Sequence, residues 1–200
     1  MITDFNDALR NLLLRELEIS NNEVEITFEQ PRRTWSQALS RPTLNLYLHD
    51  IRENNKLRGR QPGVRTTPSG HDVMLQRQPL FLDLHYMITA WTMELRDEMA
   101  LLERTLVALF RFGELPADLV ADHFRDRDLS IPFKIAQYDT VINPRDIWSV
   151  LDNEMRTAID LVATIPCNPY QPFRTPLVRE METRYDYSLP RQTGNLSAQR

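Results

Sequence analysis

Cysteine is almost missing from this chain. Cys167 stands alone, so no disulfide can form within it, and the fold must stand on an apolar core rather than on cross-links. That usage fits a reducing compartment. Glycine is also scarce, with five in the whole sequence. None sits in a phosphate-binding glycine loop or a Gly-x-Ser-x-Gly elbow, and there is no paired His-Glu zinc helix and no Cys-x-x-Cys pair. The nucleotide-binding, serine-hydrolase, zinc-protease and thiol-redox classes marked by those motifs have no support. The opening Met1-Ile2-Thr3-Asp4-Phe5 lacks the basic region and apolar run of a secretory leader. The longest apolar stretch is broken by Asp83 and His85 and is too short to cross a bilayer as a helix. A soluble, cytoplasmic product is expected, with no direct membrane insertion.

What is present is one domain's worth of core. The chain has 200 residues, 42% of them hydrophobic, enough for a single packed body with an arm. The net charge of −4 is unevenly spread. Residues 52–77 carry Arg52, Lys56, Arg58, Arg60, Arg65 and Arg77 against Glu53 and Asp72, a net +4, so the remainder is at −8. The protein as a whole is no general polyanion binder, although one segment has the charge for it.

The organising stretch is 80–112. Leu80, Leu82, Leu84, Tyr86, Ile88 and Ala90 alternate with Phe81, Asp83, His85, Met87, Thr89 and Trp91. That period predicts a strand with one buried face and one mixed face. Residues 94–112 then predict an amphipathic helix whose apolar face holds Leu95, Met99, Leu102, Leu106, Leu109 and Phe110. Gly113 and Pro116 stop it.

Around this pair, Phe5, Leu9, Leu12, Leu13 and Leu17 form one face of a first helix. Strands are predicted at 23–29, 43–51, 130–135 and 157–165, with short helices at 34–39 and after Asn143-Pro144. In the second strand Leu44, Leu46 and Leu48 are expected inward, and Asn45, Tyr47 and His49 outward. Residues 52–78 exceed the usual loop length of about 12–15 residues, which suggests a protruding hairpin or a segment ordered by a partner. The strands flanking it are expected to be antiparallel neighbours. The expected fold is α+β: about five mostly antiparallel strands with helices on one face. Residues 1–165 form the expected body. Residues 166–200, with Pro166, Pro169, Pro172, Pro176 and Pro190, form an extended C-terminal arm.

Catalytic chemistry is thinly represented. His49 and His85, with Asp83 nearby, are the one arrangement that resembles a metal or acid–base site. Two exposed strand histidines on a mixed face are the preferred reading. Trp35, Trp91 and Trp148 read as packing aromatics. The basic loop lacks the interleaved aromatics of a nucleic-acid binder.

Four stretches carry a resemblance. They are Phe28-Glu29-Gln30-Pro31; Trp35 with residues 39–54, Leu-Ser-Arg-Pro-Thr-Leu-Asn-Leu-Tyr-Leu-His-Asp-Ile-Arg-Glu-Asn; residues 82–91, Leu-Asp-Leu-His-Tyr-Met-Ile-Thr-Ala-Trp; and residues 143–151, Asn-Pro-Arg-Asp-Ile-Trp-Ser-Val-Leu. In this order they resemble the N-terminal domain of the cap, or tail-terminator, proteins of extracellular contractile injection systems, over about residues 1–166. The resemblance implies a phage tail-terminator-like fold and a structural part with no enzymatic activity, no cofactor and no metal. It implies six copies in a ring at the end of the inner tube and sheath distal to the baseplate, stopping polymerisation and holding the last sheath layer. The implied partners are the sheath protein, the inner tube protein and further copies of the chain, with no nucleic acid. Contacts with sheath, tube or neighbouring copies are expected from Arg58, Arg60 and Arg65 of the loop, Phe81 and Trp91 of the mixed face, and Leu177 and Val178 of the arm. The alternative reading is a protein- or nucleic-acid-binding module acting through the basic loop 52–78.

Overall fold

A computed structural model describes residues 1–17, 23–58, 63–66, 72–121, 130–137, 144–176 and 182–183, with the side chains of 64–66, 72 and 144–146 excepted. In chain order the elements are α1 (Ile2–Glu16), β1 (Glu25–Thr27), α2 (Arg33–Gln37), β2 (Thr43–Glu53), a short 3-10 turn (Asn55–Leu57), β3 (Gly63–Thr66), β4 (Asp72–Gln76), β5 (Leu80–Trp91), α3 (Leu95–Phe112), β6 (Phe133–Ile135), α4 (Pro144–Val150), β7 (Ala158–Cys167) and β8 (Phe173–Pro176). The main sheet has the order β1-β2-β5-β7-β6, and a second, three-stranded sheet has the order β3-β4-β8. All pairings are antiparallel except β1 with β2, which α2 makes parallel by carrying the chain back between them.

The strand β5 is the spine. It pairs with β2 on one side and β7 on the other along most of its length. Leu84, Tyr86, Ile88 and Ala90 are fully buried against α1 and α3, together with Phe5, Leu9, Leu12, Leu13 and Leu17 of the first helix segment. Burying apolar side chains of this size stabilises by about 1.5–3 kcal/mol each. Tyr86 buries its ring there and still donates its hydroxyl to Asn6 Oδ1 at 2.6 Å. Burial holds that phenol well above its usual pKa.

The α3 helix turns part of its expected face inward, with Leu102 and Leu109 buried and Leu106 packed on the core, and leaves Leu95, Met99 and Phe110 outside. Its buried residues are Glu98, Leu101, Leu102, Thr105, Ala108 and Leu109, while Leu95 is 69% and Phe110 57% exposed. The sequence offers two overlapping apolar stripes, and the core takes the one whose polar members find partners. Glu98 receives Arg156 at 2.5 Å, and Thr105 donates to the Leu101 carbonyl at 2.8 Å. The other stripe stays on the surface. The helix ends at Gly113, whose φ of +64° is the left-handed conformation that glycine adopts without a Cβ clash.

Both long helices lie on one face of the sheet, and a smaller cluster covers part of the reverse face. Met87, Trp91, Trp148 and Leu151 are buried there, with Trp35, Leu39, Tyr47 and Ile147 packed against them. The mixed face of β5 is therefore closed in its second half by α2 and α4. Asn45, expected outward, is fully buried. Its amide accepts from Thr27 Oγ1 and the Glu29 amide and donates to the Glu29 carbonyl, which stitches the segment after β1 to β2. Asn153 ties the turn after α4 to α2 in the same way, donating to the Pro31 carbonyl and to Ser36 Oγ. No helix among the described residues is long and apolar enough to cross a membrane.

Candidate functional site

The two ends of β5 differ in charge, and they are the molecule's most distinctive surfaces. At the Leu80 end the chain leaves the main sheet and builds the small one. Within the long loop β3 and β4 pair antiparallel, the hairpin form of the two expected for it, and β8 adds a third strand from beyond β7. Ile51, Leu57 and Phe173 are exposed at this end, beside Lys56, Arg58 and Arg77. Arg58 pairs with Glu53 at 3.3 Å, and Arg77 lies over the Tyr170 ring at 5.0 Å.

At the Trp91 end the first turns of α3 meet the loop that follows α4. Arg33, Asp152, Glu154 and Arg156 line this surface, and the exposed Glu94, Arg96 and Asp97 follow Trp91 directly in the chain. Glu98 is buried and neutralised by Arg156, whose guanidinium also sits 4.4 Å above the Trp91 ring. A cavity of about 520 Å³ opens here, lined by Arg33, Trp91, Trp148, Asp152, Glu154 and Arg156 among others. Met93, Leu95 and Met155 are exposed around it. Burial of Trp91 at 6% exposure puts most of its ring in contact with Trp35 and Trp148 rather than with solvent.

The remaining sequence candidates scatter. Phe81 is half-buried opposite Pro166. Arg65 lies in β3, paired through its backbone with Met74. Arg60, Leu177 and Val178 lie outside the described residues.

His49 and His85, expected to be exposed, are both half-buried, since α4 and the neighbouring strands cover part of this face. A register shift between Leu48 and Asp50 bulges His49 out of the β2–β5 ladder, and its ring lies 6.1 Å from that of His85. Asp83, on the mixed face of β5, accepts Thr164 Oγ1 at 2.6 Å and the Asn54 side-chain amide at 3.1 and 3.2 Å. The carboxylate thus ties β5 to β7 and to the turn after β2. Among the described residues no three His, Cys, Asp or Glu side chains are placed to hold a metal ion. Burial lowers the His49 pKa, with His85 and Arg52 adding to the shift and Asp160 and Asp50 opposing it.

A histidine depressed on folding binds fewer protons than its unfolded counterpart. Stability is therefore full above the ordinary histidine pKa of about 6.5 and falls as pH drops below it. The expected loss between pH 7.5 and 5 is small because the face is partly solvated. Urea midpoints at the two pH values check it. His49→Gln should flatten the difference, and an unchanged difference in that variant would remove His49 as its source.

No curated protein matches this chain. Among solved structures, its fold is similar to the sheath/tube terminator, in the extended state, of an extracellular contractile injection system, PVC. The TM-score is 0.65 at 18% identity, covering 98% of this chain and 65% of that one. It is also similar to the tube-terminating cap of the anti-feeding prophage, with a TM-score of 0.66 at 18% identity over 92% of this chain and 62% of that one. The chain thus spans a little under two thirds of the length of either protein, and at this identity the likeness is one of fold. The sequence itself matches the description "Pvc16 N-terminal domain" over residues 4–179, so the chain belongs to the Pvc16 N-terminal domain family.

Proposed function

We propose that this chain is the structural terminator of a contractile injection particle. Six copies form a ring on the end of the inner tube and sheath distal to the baseplate, stop their growth and hold the last sheath layer. The family match across nearly the whole chain carries this reading, and the likeness in fold to two terminator proteins supports it. The engagement of Asp83 in three hydrogen bonds favours a non-catalytic part over a metal enzyme on the histidine face. The partners are sheath protein, tube protein and further copies of the chain, in a particle assembled in the cytoplasm. The body spans 1–165. The arm is taken from 166; its first two residues, Pro166 and Cys167, end β7, its β8 completes the small sheet, and Leu177 and Val178 follow that strand in sequence.

The test is the length distribution of particles from cells lacking this chain, measured by electron microscopy. Overlong or ragged tubes and sheaths are expected, restored to uniform length by supplying the chain. Normal lengths without it would refute the terminator role.

A further inference from the structure

The charges at the two ends of β5 cannot compensate one another within one copy. Twelve residues of strand separate them, about 36 Å at roughly 3.3 Å per step. That is more than four screening lengths at physiological salt, where the Debye length is about 8 Å. Each end nevertheless combines a charge excess with exposed apolar groups. The small-sheet end shows Lys56, Arg58 and Arg77 against Glu53, which pairs with Arg58, together with Leu57 and Phe173. The α3 end shows Glu94, Asp97, Asp152 and Glu154 against Arg33 and Arg96, with Met93, Leu95 and Met155. The partner that complements either surface in both charge and apolarity is the opposite end of the same molecule.

We propose that copies of this chain join head to tail, the basic groups that flank the three-stranded sheet of one, Lys56, Arg58 and Arg77, seated on the acidic, methionine-bearing flank of α3 and the α4 loop of the next. Two different patches meet in such a contact, which is the heterologous kind that closes into rings. The inference rests on the ring proposed above and names its interface. The surface stripe of α3 acquires a role in it. Leu95 and Met99 lie on the half of the helix next to the acidic groups, so the apolar surface that the core left over becomes contact area. Charge complementarity then sets encounter rate and register, and the apolar groups slow dissociation.

A charge-swap experiment on the full chain tests this. One variant, Lys56→Glu with Arg58→Glu, reverses the sheet end. A second, Glu94→Lys with Glu154→Lys, reverses the α3 end. All four side chains are exposed, and unchanged circular dichroism would verify folding. Self-association is read by sedimentation at about 50 mM and about 500 mM salt, and cap-ring density is read on particles by electron microscopy. Each variant alone should associate about tenfold or more weakly than the parent chain at low salt, with the gap narrowing at high salt. An equimolar mixture, or co-expression, should restore assembly, because the reversed sheet end of one variant meets the reversed α3 end of the other around a ring of even number. Variants that assemble like the parent would overturn the proposal, as would a parent chain that forms no ring either free or on particles. Cap loss with the sheet-end variant that co-expression does not repair would also overturn it, and would make sheath or tube the occupant of the basic sheet. The terminator role is judged separately, by tube length in cells lacking the chain.

Discussion

Trp148→Ala is expected to lower the unfolding free energy by about 3–5 kcal/mol. Its ring is 3% exposed and packs against Trp91 at a centroid distance of 6.4 Å, with Met87 and Leu151 completing the cluster. Among the described residues only α2 and α4 cover this face, so the cavity has few neighbours able to collapse into it. For a chain of this size the loss is a fall in melting temperature of about 10 °C. Trp148→Phe separates packing from polarity. The buried indole N–H of Trp148 has no hydrogen-bond partner among the described residues, so Phe gives up area but also removes an unsatisfied donor. Its cost should stay below about 1.5 kcal/mol. A Phe variant as unstable as the Ala variant would mean the indole nitrogen is bonded after all.

The second large effect is at the ion pair that orients α3. Arg156→Ala should cost about 3 kcal/mol, because it strands the Glu98 carboxylate, 4% exposed, without its partner. It also strips the guanidinium from the face of Trp91. The expected cost comes chiefly from the stranded charge, so replacing both partners should be milder than replacing one. Glu98→Leu with Arg156→Met should recover most of the loss. A double-mutant cycle in urea measures the coupling. Additive single effects would show that the pair is dispensable and that α3 is oriented by its leucines alone.

That helix also marks where the sequence stops speaking. The strand Leu80–Trp91 is legible to the residue, because period two, length and the flanking Pro79 agree. The helix after it and its stop at Gly113 are equally plain. Which face of the helix turns inward is not. Leu95, Met99 and Phe110 are as apolar as Leu101, and Arg156, the partner of the buried Glu98, comes from 58 positions away. Asn45 hides for the same reason, since its bonding partners come from another segment. The long basic loop reads as a hairpin, but its third strand does not. Phe173–Pro176 is short, ends in proline and pairs with a segment far upstream. The basic half of the candidate surface is contiguous and visible as a charge run. The acidic half is assembled from 93–103 and 148–156, and only the fold brings them together.

The placement of β5 between two long antiparallel partners has a mechanical consequence. Ten residue pairs join it to β2 and ten join it to β7. Interstrand hydrogen bonds lie perpendicular to the strands, so a pull along β5 loads both ladders in shear, with every bond resisting at once. A pull across the sheet would instead unzip one bond after another from an edge. A chain gripped at the two ends of β5 transmits tension along its stiffest direction, whereas the same force applied at the three-residue edge strands β1 and β6 would peel them away.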